Sequence, residues 1–166
     1  MNNFRKTLLF YFYWYNIIMS FELDFSRGQI FVLTGKQNSG KSYLLRNLIK
    51  QFTKKGVFKF GHVFSGTTFN SDYDFMPDGS VKSNYSEEEL DKYTGKLRGW
   101  LEANPGKKLP PNFLVLDDLL GKIRLNSSTF SNLMSTYRHY NMSIFITSQY
   151  MVKNVSTLLR ELCDVA

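Results

Sequence analysis

The sequence predicts an α/β fold, a central and mostly parallel sheet covered by helices on both faces. Short apolar runs alternate along the chain with stretches of helical spacing, which is the pattern of strands joined by crossover helices. A glycine-containing loop, GKQNSGKS, joins the first continuous apolar run to the first helical stretch. At 166 residues the chain suits one domain with a sizeable core, and 43% hydrophobic against 21% charged residues exclude disorder by composition.

In order, FELDF alternates as an edge strand would, and Gly28 ends it. QIFVLT is a continuous apolar run of buried-strand type. After Ser42, residues Leu44, Leu45, Leu48, Ile49 and Phe52 recur at helical spacing, and Lys54, Lys55 and Gly56 read as its stop. VFKFGHVFSG supplies a third strand, and TTFNSDYDFMPDGSVKSNY reads as loop. SEEELDKYTGKLRGWLE opens with a capping box at Ser86 and Glu89 and continues as a helix, and ANPGKKLPPN is expected to be an exposed linker. FLVLDD is a short strand followed by the basic loop LGKIRLNSS. FSNLMSTYRHYN puts Phe130, Leu133, Met134 and Tyr137 on one helical face, SIFIT is a strand, and VSTLLRELC repeats helical spacing at Val155, Leu158, Leu159 and Leu162.

A net charge of +7 favours a polyanionic partner, nucleic acid ahead of an acidic membrane surface. The lone Cys163 excludes an internal disulfide and points to a reducing compartment, and His62 and His139 are too few for a histidine-based metal site. At the N-terminus, MNNFRKTLLFYFYWYNIIMS is too short an apolar run for a membrane span and lacks a small-residue cleavage site. Residues 1–19 are therefore set apart as a leader ahead of Met19, an interfacial aromatic anchor, or an extra packed element. The domain proper runs over 20–166.

GKQNSGKS fits G-x-x-x-x-G-K-[ST], and a chance match in a chain of this length is about one in 200. In this phosphate-binding loop Gly35, Lys36, Gln37, Asn38, Ser39 and Gly40 curl so that backbone N–H groups face a phosphate, and Tyr43 opens the helix beyond. Lys41 reaches the β- and γ-phosphates, and Ser42 offers its hydroxyl to Mg²⁺; ATP with Mg²⁺ is the expected ligand. A carboxylate at the end of a neighbouring strand is then required, and FLVLDD supplies Asp117 for the metal and Asp118 to polarise the attacking water. Gln149, directly after SIFIT, offers a neutral amide to the γ-phosphate or the lytic water. The order of loop, intervening strand, DD strand and polar-ended strand marks the P-loop division with an additional strand and a catalytic carboxylate. No N-K-x-D motif is present, which disfavours GTPases.

With FLVLDDLLG, YRHYNMSIFITSQ and VFSGTTFNSDYDFMPD in view, residues 20–166 resemble the viral genome-packaging ATPases of the poxvirus and giant-virus type, in the FtsK–HerA superfamily of P-loop NTPases. The resemblance implies a homo-oligomeric ring that drives double-stranded DNA into a capsid or portal-like vertex. It implies a place in the host cytoplasm or viral factory, with virion association. Matched positions are Lys41, Ser42, Asp117, Asp118, Gln149 and Arg138; the last is read as an arginine finger or as a charge complementing a helix end, with Arg160 as the next candidate finger. Relatives continue past the last helix, so the chain is expected to be truncated at LCDVA. Lys122 and Arg124 in the loop after the DD strand are the expected DNA contacts, followed by Lys107 and Lys108. Two other functions stay open, a nucleotide-dependent switch or adaptor and a helicase-like ATPase. The aromatic residues, 16% of the chain, fall mostly on apolar faces and are assigned to the core rather than to base stacking.

Overall fold

The computed structural model describes residues 25–66, 73–119, 123 and 127–148. The expected leader, most of the FELDF strand and the final helix with Arg160 and Cys163 lie outside the described residues, as do Lys122, Arg124 and Gln149.

The elements are β1 (Ile30–Thr34), α1 (Lys41–Lys54), β2 (Phe60–Ser65), β3 (Val81–Lys82), α2 (Glu87–Ala103), β4 (Asn112–Asp117), α3 (Ser128–Thr136) and β5 (Met142–Ser148). The sheet order is β1-β5-β4-β2-β3, and every pairing is parallel. The expected additional strand is therefore β5, lying between the phosphate-loop strand and the DD strand. Because side chains alternate across a strand, each central strand feeds two cores. Ile30, Leu114, Leu116, Ile144 and Ile146 pack with Leu90, Leu97, Phe130 and Leu133 of α2 and α3. Phe31, Phe113, Val115 and Phe145 pack on the other face with Leu45 and Ile49 of α1. The result is the three-layer α/β architecture that the alternation predicts.

Two glycines mark close approaches between strands. A Cβ at Gly28 would lie 2.1 Å from the carbonyl oxygen of Met142, so the chain enters β1 directly against the start of β5. Gly61 leaves room for the Phe113 ring, its register partner on β4.

The structure corrects several boundaries. Val81–Lys82, expected as loop, forms a short edge strand on β2. The linker before β4 is exposed only in its first part. Leu109 is buried in the core, and the fully buried Asn112 donates from Nδ2 to the carbonyls of Tyr140 and Pro110 at 2.7 and 3.1 Å. A polar side chain is stable there because backbone acceptors converge on it. At the start of α2, Ser86 Oγ accepts from Glu89 N at 3.4 Å as the capping pattern requires, but the Glu89 carboxylate turns to Lys82 and Lys92. α3 ends at Thr136, and Arg138 and His139 lie in an exposed turn that closes with Met142 N donating to Tyr137 O at 3.0 Å.

His62 on β2 is buried between Phe64 and Tyr93, its ring stacked on Tyr93 at 5.0 Å, and Nε2 has no hydrogen-bond partner among the described residues. Burial, with a smaller push from Lys82, lowers its pKa from 6.5 to about 4. Between those values the unfolded chain binds a proton that the folded one refuses, so this contribution is full above pH 6.5 and is lost as pH falls toward 4. His62→Phe is expected to keep the ring stack and to flatten the acid loss of stability across that window by about 2–3 kcal/mol. Chemical denaturation at several pH values measures the difference, and parallel curves for the two proteins would contradict it.

Candidate functional site

The loop between β1 and α1 closes on itself through backbone geometry that its sequence dictates. Gly40 has φ +87°, a left-handed conformation suited to glycine, and Asn38 has φ 60°, which asparagine tolerates better than most residues. At Gly35 an added Cβ would meet Ser39 Oγ at 2.8 Å, and Gly35 N donates to Ser148 O at 3.2 Å, tying the loop to the end of β5. Lys41 Nζ donates to the carbonyls of Gly35 and Lys36, both at 2.8 Å, and so spans the loop.

α1 starts from Gly40 with no side-chain cap and no acidic residue in its first turn. Its first N–H groups and its positive dipole end are thus directed at a cleft of about 430 Å³ lined by residues 37–43 and Asp118. Tyr43, 53% exposed, stands at the rim with the Arg46 guanidinium 5.2 Å above its ring.

Opposite the loop, Asp117 ends β4 at 1% exposure. Its Oδ1 accepts from Ser42 Oγ and from Thr147 Oγ1, each at 2.7 Å, and Oδ2 accepts from Ser65 Oγ at 3.3 Å. A buried carboxylate is stable only when hydrogen-bonded in this way. Thr147 also accepts from the backbone N–H of Asp118 at 2.8 Å. That bond holds Asp118 in a left-handed turn, φ 55°, with the residue exposed at the cleft.

Of the residues singled out from sequence, Gly35 to Tyr43, Asp117 and Asp118 converge at the C-terminal ends of the strands. Arg138 does not join them. It precedes β5 and so lies at the opposite end of the parallel sheet, its guanidinium 5.4 Å over the Tyr137 ring. Sequence reasoning missed Ser65, Thr147 and Tyr73. Tyr73 is 5% exposed, its hydroxyl has no hydrogen-bond partner among the described residues, and burial followed by the neighbouring Asp117 charge pushes its pKa upward. The available signal was that apolar runs end in polar residues at one level of the sheet, Thr34 beside Ser148 and Ser65 beside Asp117.

The donor set fits Mg²⁺. Ser42 Oγ and Asp117 Oδ1 are hard oxygen donors already in contact, and the buried Tyr73 hydroxyl is a further polar group beside the same carboxylate. A small cation that keeps several waters and uses one or two protein oxygens suits such a site.

A family model described as Poxvirus A32 protein matches residues 23–162. Among solved structures, the genome packaging NTPase B204 from Sulfolobus turreted icosahedral virus 2 in complex with AMPPCP is similar at a TM-score of 0.59 and 15% identity, over 83% of this chain and 73% of that one. The pCW3 conjugation coupling protein TcpA with ATPgS gives a TM-score of 0.56 at 16% identity, over 84% of this chain. The cytoplasmic domain of the Thermomonospora curvata type VII secretion ATPase EccC gives 0.55 at 15%, over 84% of this chain and 19% of that one. At these identities the likeness is one of fold. The chain spans 48% of the length of TcpA, about half. No curated protein matches the chain by sequence.

Thr147 holds the Asp117 carboxylate and the Asp118 backbone N–H through one hydroxyl, so Thr147→Val, which keeps the shape, is expected to lower folding stability by about 1–3 kcal/mol. Thr147→Ser restores most of it. A denaturant midpoint that does not move in the Val variant would show that water replaces the hydroxyl without loss.

Proposed function

The chain belongs to the poxvirus A32 family, and from that membership and the geometry of the site we propose that it is an Mg²⁺-dependent ATPase that moves double-stranded viral DNA into a capsid. The observation that carries the reading is the 2.7 Å contact of Ser42 Oγ with Asp117 Oδ1, joining residues 75 positions apart beside a cleft of about 430 Å³. The fold likeness to the packaging NTPase B204 supports it.

The mechanism follows from the groups at hand. The α1 N–H groups and Lys41 neutralise the β- and γ-phosphates; Lys41 exchanges its two loop carbonyls for phosphate oxygens. Ser42 and Asp117 would hold Mg²⁺, which supplies charge neutralisation between the β- and γ-phosphates. Asp118, set at the cleft by its left-handed turn, accepts a proton from water as the water oxygen bonds to the γ-phosphorus and the bond to the β-phosphate oxygen breaks. Gln149, next after Ser148, completes the assignment as the group that orients this water. Residues 20–166 form the working domain in this reading, acting in a homo-oligomeric ring at a capsid or portal-like vertex, in the viral factory and with the virion.

Lys41→Ala is expected to abolish tight ATP binding. Asp118→Asn should keep binding and lose turnover by about 10²–10⁴. Nucleotide titration and turnover on both variants test the division, and unimpaired hydrolysis in Asp118→Asn would remove the general-base assignment. Stimulation of the parental rate by duplex rather than single-stranded DNA tests the motor reading against a switch or a helicase-like enzyme.

Arg138 is far from the cleft of its own subunit, so as a catalytic group it can act only on a neighbour in the ring. Arg138→Ala subunits should bind ATP yet fail to hydrolyse it alone, with turnover lower by about 10³–10⁵. Mixing them with Lys41→Ala subunits should restore some activity, because an intact site then meets an intact arginine. Lower thermal stability of Arg138→Ala without rescue on mixing would leave it a helix-end charge.

A further inference from the structure

The end of the sheet opposite the cleft carries a concentration of positive charge that the ATPase chemistry does not use. Parallel pairing throughout puts the starts of all strands at this end. Lys54 and Lys55 close α1, Lys59 immediately precedes β2, and Lys107 and Lys108 lead into β4, the strand beside β2. The two segments are joined there, with Lys59 N donating to Pro111 O at 3.0 Å. All five lysines are exposed, and none makes an ion pair among the described residues; Lys107 Nζ only meets Asn104 Oδ1 at 3.3 Å.

Segments 54–59 and 104–111 contain no Asp or Glu, and Glu87, Glu88, Glu89 and Asp91 gather at the start of α2, toward the other end; Glu102, in the last turn of α2, is a carboxylate at the lysine end. These five belong to the excess of 21 Lys and Arg over 14 Asp and Glu that gives the chain its net +7. Like charges held together repel, so a patch of this kind is useful against a polyanion.

We propose that this pole, centred on Lys54, Lys55, Lys59, Lys107 and Lys108, is the surface on which the chain holds duplex DNA, by its backbone phosphates; the proposal rests on the DNA-moving reading and places its contact away from the loop after β4. The lysines come from both sides of the sheet, and each helix layer stands about 10 Å from it, so the patch is about 20 Å across. A duplex presents about a dozen phosphate charges over that length. Lysines are point charges without the planar fork that reads a base edge, which suits a track of any sequence.

A membrane surface fits less well, because an interfacial site also needs an apolar face. The exposed large apolar side chains among the described residues are Tyr43, at the other end, and a single Trp100 one turn back on α2. The turn that carries Arg138 packs on the segment after Lys108, with Asn141 Nδ2 donating to Leu109 O at 2.9 Å, so the DNA patch borders the surface on which Arg138 would meet a neighbouring subunit.

The test uses the full chain with Lys54→Gln, Lys55→Gln, Lys59→Gln, Lys107→Gln and Lys108→Gln combined, titrated with a mixed-sequence duplex between about 50 and about 200 mM salt. The slope of log affinity against log salt should flatten by about 0.9 for each phosphate that is no longer neutralised, and affinity near 0.1 M salt should fall at least about tenfold. ATP affinity should be unchanged, since Lys41 is at the opposite end.

A parental slope in this variant, or full loss of the slope in Lys122→Gln with Arg124→Gln instead, would overturn the assignment. So would parental binding to phosphatidylserine vesicles that is tighter than to duplex and is lost with the five lysines. A parental chain whose turnover rises with duplex DNA while the variant keeps the slope would remove this surface alone. A parental chain that hydrolyses ATP but binds no duplex would remove the DNA-moving reading with it.

Discussion

One buried carboxylate organises the centre of this molecule. Asp117, at 1% exposure, accepts hydroxyl hydrogen bonds from α1, β2 and β5 at once, through Ser42, Ser65 and Thr147. A charge so far from water is costly unless it is surrounded by donors, so the three contacts are a condition on how four elements assemble. They also fit the strand order. β2 and β5 flank β4, and each ends in a hydroxyl at the level of the carboxylate. The phosphate-loop strand β1 is one strand removed, and its donor arrives on α1, which carries Ser42 across the end of β5.

That arrangement explains why much of the fold was legible in the sequence. The buried strands of a parallel sheet are continuous apolar runs, and QIFVLT, FLVLDD and SIFIT stand out for that reason. The phosphate loop needs a glycine at φ +87° and a lysine beside it, which makes Gly40 and Lys41 readable without coordinates. Even the position of β5 between β1 and β4 follows from the order of the motifs.

The unread parts depend on pairing between distant segments. Thr147 and Ser65 look like ordinary strand ends until register sets them against Asp117. Tyr73 sits in a polar stretch with no periodicity, and only the tertiary path brings its hydroxyl to the carboxylate. Asn112 closes a proline-rich segment that reads as solvent-exposed, and it is buried because the carbonyls of Pro110, Tyr140 and Asn141 converge on its amide. The sequence carries α3 past Thr136 because Tyr137 continues the apolar spacing, whereas Tyr137 O is taken by Met142 N in the turn that starts β5.

Parallel topology also gives the molecule two chemically different ends. The start of α1 and the ends of the strands face one way, and an anion is favoured there by N–H groups that lack internal partners. Helix C-termini face the other way, and a positive charge near them complements the dipole. That effect accounts for Lys54, the one basic residue in the last turn of a described helix, since α2 and α3 carry none there. It does not account for Lys59, Lys107 and Lys108, which lie in loops beyond the last turns. Screening within about 8–10 Å of solvent would let these loop charges occur with either sign at little cost to folding. Their common sign, in segments 54–59 and 104–111 that hold no carboxylate of their own, therefore carries information that fold stability does not require, and it points outward, to what the surface meets.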